Sequence, residues 1–114
     1  MDAGNKTRLE YNLLIFDILE KIIQEKDIKV DQAYNLLGIE TNDFSQVEKS
    51  KTEEILDILK KFIQDYPEQR FLQASINLGI ASDDLIPWME ESKVTYEKIL
   101  DKTLWDHQQE WVML

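Results

Sequence analysis

The chain predicts an all-α fold: a compact bundle of five or six helices in one domain, residues 1–114. Three observations predict it. Turn material is scarce, with three glycines and two prolines in 114 residues, which does not suit many short strands. Apolar residues recur at helical spacing over long runs. One such run occurs twice, residues 55–64 repeating 15–24 at Ile15/Ile55, Asp17/Asp57, Ile18/Ile58, Leu19/Leu59, Lys21/Lys61, Ile23/Ile63 and Gln24/Gln64.

The first helix is expected from about Thr7 to about Lys26. Tyr11, Leu14, Ile15, Ile18, Leu19, Ile22 and Ile23 form one wide apolar stripe. Phe16 lies off it, so a second helix should cover that flank. After a break near Asp27, a short helix carries Ala33, Leu36 and Leu37 on its apolar edge, with Asp31 at its cap or first turn. Gly38 follows the last periodic residue and reads as a left-handed stop. A weaker third segment should run from Phe44 to about Ser50.

The second unit begins with Ser50 or Thr52 as cap, and Glu53 and Glu54 suit the positive end of a helix. Its stripe is expected to be Ile55, Ile58, Leu59, Phe62, Ile63 and Tyr66. Pro67 ends that helix and can open the next, whose apolar residues include Phe71, Leu72, Ala74, Ile76 and Leu78 before a stop at Gly79. The echo continues one residue out of step: Gln32-Ala33 against Gln73-Ala74, Leu37-Gly38-Ile39 against Leu78-Gly79-Ile80, Asp43 against Asp84. The expectation is an internal duplication, about 8–50 and about 51–91, followed by a C-terminal helix over about 92–114. The two copies should share one core about a pseudo-twofold axis, with Ile18 and Ile58 both turned from water. Two copies fall short of a solenoid.

Charge and composition narrow the function. With 13 Lys and Arg against 23 Asp and Glu the formal net charge is −10, which repels phosphate backbones and anionic headgroups. No nucleic acid or membrane partner is expected. The charge reads as solubility, or more sharply as steering toward a basic partner. There is no cysteine, which removes disulfides, thiolate catalysis and Cys-ligated metals. The N-terminus has no apolar run of the signal-peptide kind, and a cytoplasmic location is expected. No motif calls for a cofactor or an enzyme.

Single residues were weighed on the same terms. His107, the one histidine, has no orienting partner in reach on a helix and reads as surface or packing. Asp83, Asp84, Glu90 and Glu91 read first as caps and solvated acids, next as a partner-facing patch, and last as a hard-cation site, because their spacing is not that of an EF-hand. Residues 30–39 have a loose helix-turn-helix cadence, but the residues after Gly38 are too acidic for phosphate contact. Trp88, Trp105 and Trp111 are core residues or, where two share an exposed face, a binding hot spot. Arg70 stands among acids and aromatics as an internal clamp.

The segment Tyr66-Pro67-Glu68-Gln69-Arg70-Phe71-Leu72-Gln73, with Asn77 and the acidic stretch after it, resembles a group of small bacterial and phage proteins. They carry Tyr-Pro-x-x-Arg-Phe-x-Gln after an amphipathic helix. The resemblance covers about a third of the chain and departs from the group at Leu72, where a glycine is common. It implies a bacterial or phage origin and joint action of Tyr66, Arg70 and Phe71, but no activity. The resulting expectation is a non-enzymatic protein-binding module, such as an immunity protein, antitoxin or phage-encoded inhibitor, holding a basic partner through Asp83, Asp84, Trp88, Glu90, Glu91 and Arg70. The alternative is a structural homodimer mated through its C-terminal helix, whose apolar end is Trp111-Val112-Met113-Leu114.

Overall fold

Thr7 opens the first helix in the computed structural model, which describes residues 7–82 and 90–112, with side chains through residue 102. Its hydroxyl accepts from Glu10 N at 3.2 Å, and Glu10 Oε1 accepts from Thr7 N at 3.4 Å. That reciprocal box occupies two amides the helix would otherwise leave bare. Helix α1 (Arg8–Lys26) ends at Asp27, which takes a left-handed conformation at φ 55°. Four helices follow: α2 (Val30–Leu36), α3 (Thr52–Asp65), α4 (Phe71–Asn77) and α5 (Ser92–Val112), with a 3-10 turn at Lys49–Lys51. No strand forms among the described residues.

Both short helices stop the same way. Gly38 and Gly79 sit at φ 83° and φ 78°. Behind them Ile39 N donates to Tyr34 O at 3.0 Å and Ile80 N to Ser75 O at 2.9 Å, capping the last carbonyls. The chain segments leaving the two stops then run antiparallel. Asn42 N donates to Ile80 O and Ser82 N to Glu40 O, each at 3.0 Å, around the isolated bridge Thr41–Ala81. Below it the wholly buried Tyr34 hydroxyl meets Ser75 Oγ at 2.7 Å, and the Tyr34 ring stacks on Phe71 at 6.1 Å between centroids. Burial pushes the Tyr34 phenol far above its ordinary range, against a smaller opposing pull from the Ser75 hydrogen bond.

Helix α1 is the hub. It is apolar on most of its circumference and packs against α2, α3, α4 and α5. Ile15, Phe16, Leu19 and Ile23 are buried with Leu56, Leu59, Ile63, Phe71, Leu72 and Ile99. The flank of Phe16 is covered, as its position off the stripe requires.

Four expectations need correction. Ile58 is 51% exposed and Tyr66 46%, so α3 does not repeat the stripe of α1. Its core side is Thr52, Leu56, Leu59 and Ile63 instead. The cause is unequal surroundings: α5 lies on α1, while among the described elements α3 contacts α1, α2, α4 and the 3-10 turn. The two long helices do pack on each other, but α1 carries α5 as well. Residues 44–48 form no helix. There Asp43 Oδ1 accepts from Ser45 N at 2.9 Å, a turn bond that holds its carboxyl below the usual range. Finally, Pro67 lies in the turn after α3, and α4 opens four residues later at Phe71.

Two stability predictions follow from these contacts. A Cβ at Gly38 or Gly79 would meet nothing within 4 Å, so the cost of Gly→Ala is conformational alone. Urea unfolding should show Gly38→Ala and Gly79→Ala destabilised alike, each by roughly 1–2 kcal/mol. For Tyr34, the folded phenol ionises at higher pH than the unfolded one. Its contribution is intact below about pH 10, the unfolded value, and is lost as pH rises beyond it. Tyr34→Phe should cost roughly 1–3 kcal/mol at neutral pH by leaving Ser75 Oγ unpaired. That difference from the parent should shrink in unfolding curves measured above about pH 10.

Candidate protein-binding surfaces

A buried polar cluster fixes how α5 meets the rest of the chain. Asn12 occupies a core position of α1 and is wholly buried. Its Nδ2 donates to Gln69 O at 2.8 Å, and its Oδ1 accepts from Ser92 Oγ. Ser92 Oγ in turn accepts from Phe71 N at 3.1 Å. Three segments are thereby joined: α1, the turn into α4, and the start of α5. Outside the cluster, Arg8 grips Glu91 in a fork, Nε to Oε1 at 3.1 Å and Nη2 to Oε2 at 2.7 Å, while its Nη1 donates to Glu68 O. A ring contact, Tyr11 with Tyr96 at 5.6 Å, lies along the same α1–α5 seam.

This accounts for part of the expected acidic patch. Glu91 is held by Arg8. Glu90 pairs with Lys98 and accepts from Thr95 Oγ1 at 2.7 Å. Arg70 precedes α4, where its backbone N donates to Gln73 Oε1 at 3.2 Å. The structure thus brings Glu90 and Glu91 to the foot of α5. Asp83, Asp84 and Trp88 lie outside the described residues, as do the side chains of Trp105, His107 and Trp111. Tyr66 is exposed against Phe62 at 4.7 Å, whereas Phe71 is in the core.

Two concavities stand beside these helices. One, of about 760 Å³, lies between the glycine stops and α5 and is walled by Leu37, Ile39, Leu72, Val94 and Ile99, with the Glu90–Lys98 pair at its rim. The other, of about 490 Å³, runs between α1 and the start of α3 and is acidic: Glu20, Asp27, Glu53 and Asp57 line it. Lys49 crosses it to Asp27 at 2.7 Å. No ion pair among the described residues reaches Glu20, Glu53 or Asp57. The sequence reading passed over this cleft and the Asn12 cluster. The cleft is assembled from residues about thirty apart in the chain. Asn12 did leave a signal, being a polar residue in register with Ile15, Leu19 and Ile23.

The chain matches no protein-family model, no curated protein and no solved structure. No helix among the described residues is long and apolar enough to cross a membrane.

The buried cluster makes a coupled prediction. Asn12→Leu should cost roughly 1–3 kcal/mol through the stranded Gln69 carbonyl and Ser92 hydroxyl, and Ser92→Ala a similar amount through Phe71 N and Asn12 Oδ1. The double variant should cost less than the two together, because each change removes a group the other had left unpaired. Denaturant midpoints of the three variants measure this.

Proposed function

We propose that this chain is a non-enzymatic protein-binding module that holds a basic partner against its acidic surface, in the manner of an immunity protein, antitoxin or phage-encoded inhibitor. The observation that carries the reading is the unneutralised α1–α3 cleft. In a chain of net charge −10, Glu20, Glu53 and Asp57 converge there; Lys49 is the one cation among the described lining residues and is already engaged by Asp27, and Lys60 is turned onto the Phe16 ring. Like charges gathered without counter-charge cost stability, and a cationic partner relieves that cost. Glu90 and Glu91 join a binding face only by giving up Lys98 and Arg8. The cleft is therefore the stronger docking place, and Asp83, Asp84, Trp88 and Arg70 stay a second candidate patch on sequence grounds.

We infer also that the two helical units arose by duplication. Several contacts support that reading. Lys29 N bonds Gln32 Oε1 at 2.9 Å just as Arg70 N bonds Gln73 Oε1. Buried Asn12, Phe16, Leu19 and Ile23 of α1 correspond, forty residues on, to Thr52, Leu56, Leu59 and Ile63 of α3. Corresponding residues Tyr34 and Ser75 touch each other, and the bridge sets Thr41 beside Ala81, the counterpart of its neighbour Glu40, while Ser82, the counterpart of Thr41, bonds Glu40, an exchange of the kind a twofold axis produces.

The binding reading is tested by titrating the chain against a set of small basic proteins at low and high salt. Affinity for a true partner should fall at least about tenfold between roughly 50 mM and 200 mM salt. It should also fall on Glu53→Lys plus Asp57→Lys. Binding indifferent to salt and to that change would remove the acidic cleft as the docking site.

A further inference from the structure

The exposure of Ile58 has a consequence independent of the acidic cleft. In α1 the corresponding residue, Ile18, is half-buried, and Ile15 is wholly buried where Ile55 is only partly so. The difference is α5, which packs along α1 and has no counterpart on α3 among the described residues. Helix α3 therefore presents an apolar line, Ile55, Ile58 and Phe62, with no described helix laid over it.

Charge around that line is ordered. Lys51 and Asp65 lie seven residues before and after Ile58, Glu54 lies four before and Lys61 three after, while Ile55 lies three before and Phe62 four after. At 3.6 residues per turn, Glu54 and Lys61 fall on one side of Ile58 and Ile55 and Phe62 on the other, with Lys51 and Asp65 nearly in line with it. Two such helices laid antiparallel and crossing at Ile58 would match residue for residue. Ile58 would meet its own copy, Ile55 would meet Phe62, Glu54 would face Lys61, and Lys51 would face Asp65. Within one chain the same four charges already pair along the helix, Lys51 with Glu54 at 3.7 Å and Lys61 with Asp65 at 3.1 Å. A second copy would extend those pairs into a four-charge row on each side of the crossing. A parallel arrangement would set Glu54 against Ile55 and Lys61 against Phe62, burying each charge on an apolar side chain.

We propose that α3 is a self-association surface, on which two copies of this chain meet through antiparallel α3 helices crossing at Ile58. The contact is isologous, each helix offering the other the same face. One helix face per copy is a small interface, so the dimer is weak and reversible.

Sedimentation equilibrium from about 10 µM to about 1 mM, the range in which small interfaces populate, tests it. The average mass should rise from monomer toward dimer. Ile58→Lys should weaken association at least about tenfold while leaving the helical circular dichroism unchanged, since the side chain is 51% exposed. Lys61→Glu should weaken it by setting carboxylates against Glu54, and the swap Glu54→Lys with Lys61→Glu should restore it to within about threefold of the parent. A chain that stays monomeric throughout would overturn the proposal. So would a dimer that survives Ile58→Lys, or a charge swap that fails to restore association.

Discussion

Helix α1 carries more apolar surface than one neighbour can cover, and the architecture answers that demand. Its buried residues Ile15, Phe16, Leu19 and Ile23, with half-buried Leu9, Leu13, Ile18 and Ile22, spread over most of its circumference. Each fully buried Ile, Leu or Phe adds roughly 1.5–3 kcal/mol to the folded state, so leaving one flank wet would forfeit several such increments. Helices α2, α3 and α4 close part of the circumference and α5 closes the rest. Helix α3 packs one side on α1, α2 and α4 and leaves Ile58 outward. Near-identical ten-residue runs thus take different places because the residues around them differ.

Hydrophobic contact draws α5 onto α1 but is not directional; polar groups fix where it rests. Of the two polar ties, the buried one matters more. The Arg8–Glu91 fork is well formed, yet its side chains are 34% and 51% exposed, and a screened surface pair contributes about 0–1 kcal/mol. Asn12 is wholly buried, and its amide cannot exchange its partners for water. A shift of α5 by one turn would strand Asn12 Oδ1, Ser92 Oγ and Phe71 N together. That penalty falls on wrong registers and not on the right one, so the cluster acts chiefly as a specificity device.

Periodicity made the helices legible. The limits of α1, the two glycine stops and the start of α5 near Ser92 could be read from sequence because each depends on residues within a turn or two. Ile58 could not be placed that way. Its spacing is that of a core residue, and it turns outward because none of the described helices lies over that face of α3. Leu56 is the reverse case, outside the expected stripe yet buried against α1. Residues 44–48 were read as weakly helical for want of another signal, while the Asp43 side chain bonding Ser45 N made a turn the better alternative for the backbone. Glu91 looked free in sequence because Arg8 stands more than eighty residues away.

Helix α3 borders two surfaces of opposite electrostatic kind. On its flank toward α1, Glu53 and Asp57 face Glu20 with little to balance them. On its outer flank Lys51, Glu54, Lys61 and Asp65 balance charge for charge. The distinction matters because a chain of net charge −10 should resist meeting itself. That repulsion is a long-range sum, damped beyond a screening length of about 8–10 Å in ordinary salt, whereas facing helices pack about 8–10 Å apart. At that separation the local balance governs. An acidic cleft admits a cation-rich partner and repels a second copy, while a neutral, self-matching ridge admits a second copy and gives a basic partner no advantage. One helix can serve both because the two flanks point to different sides of the molecule.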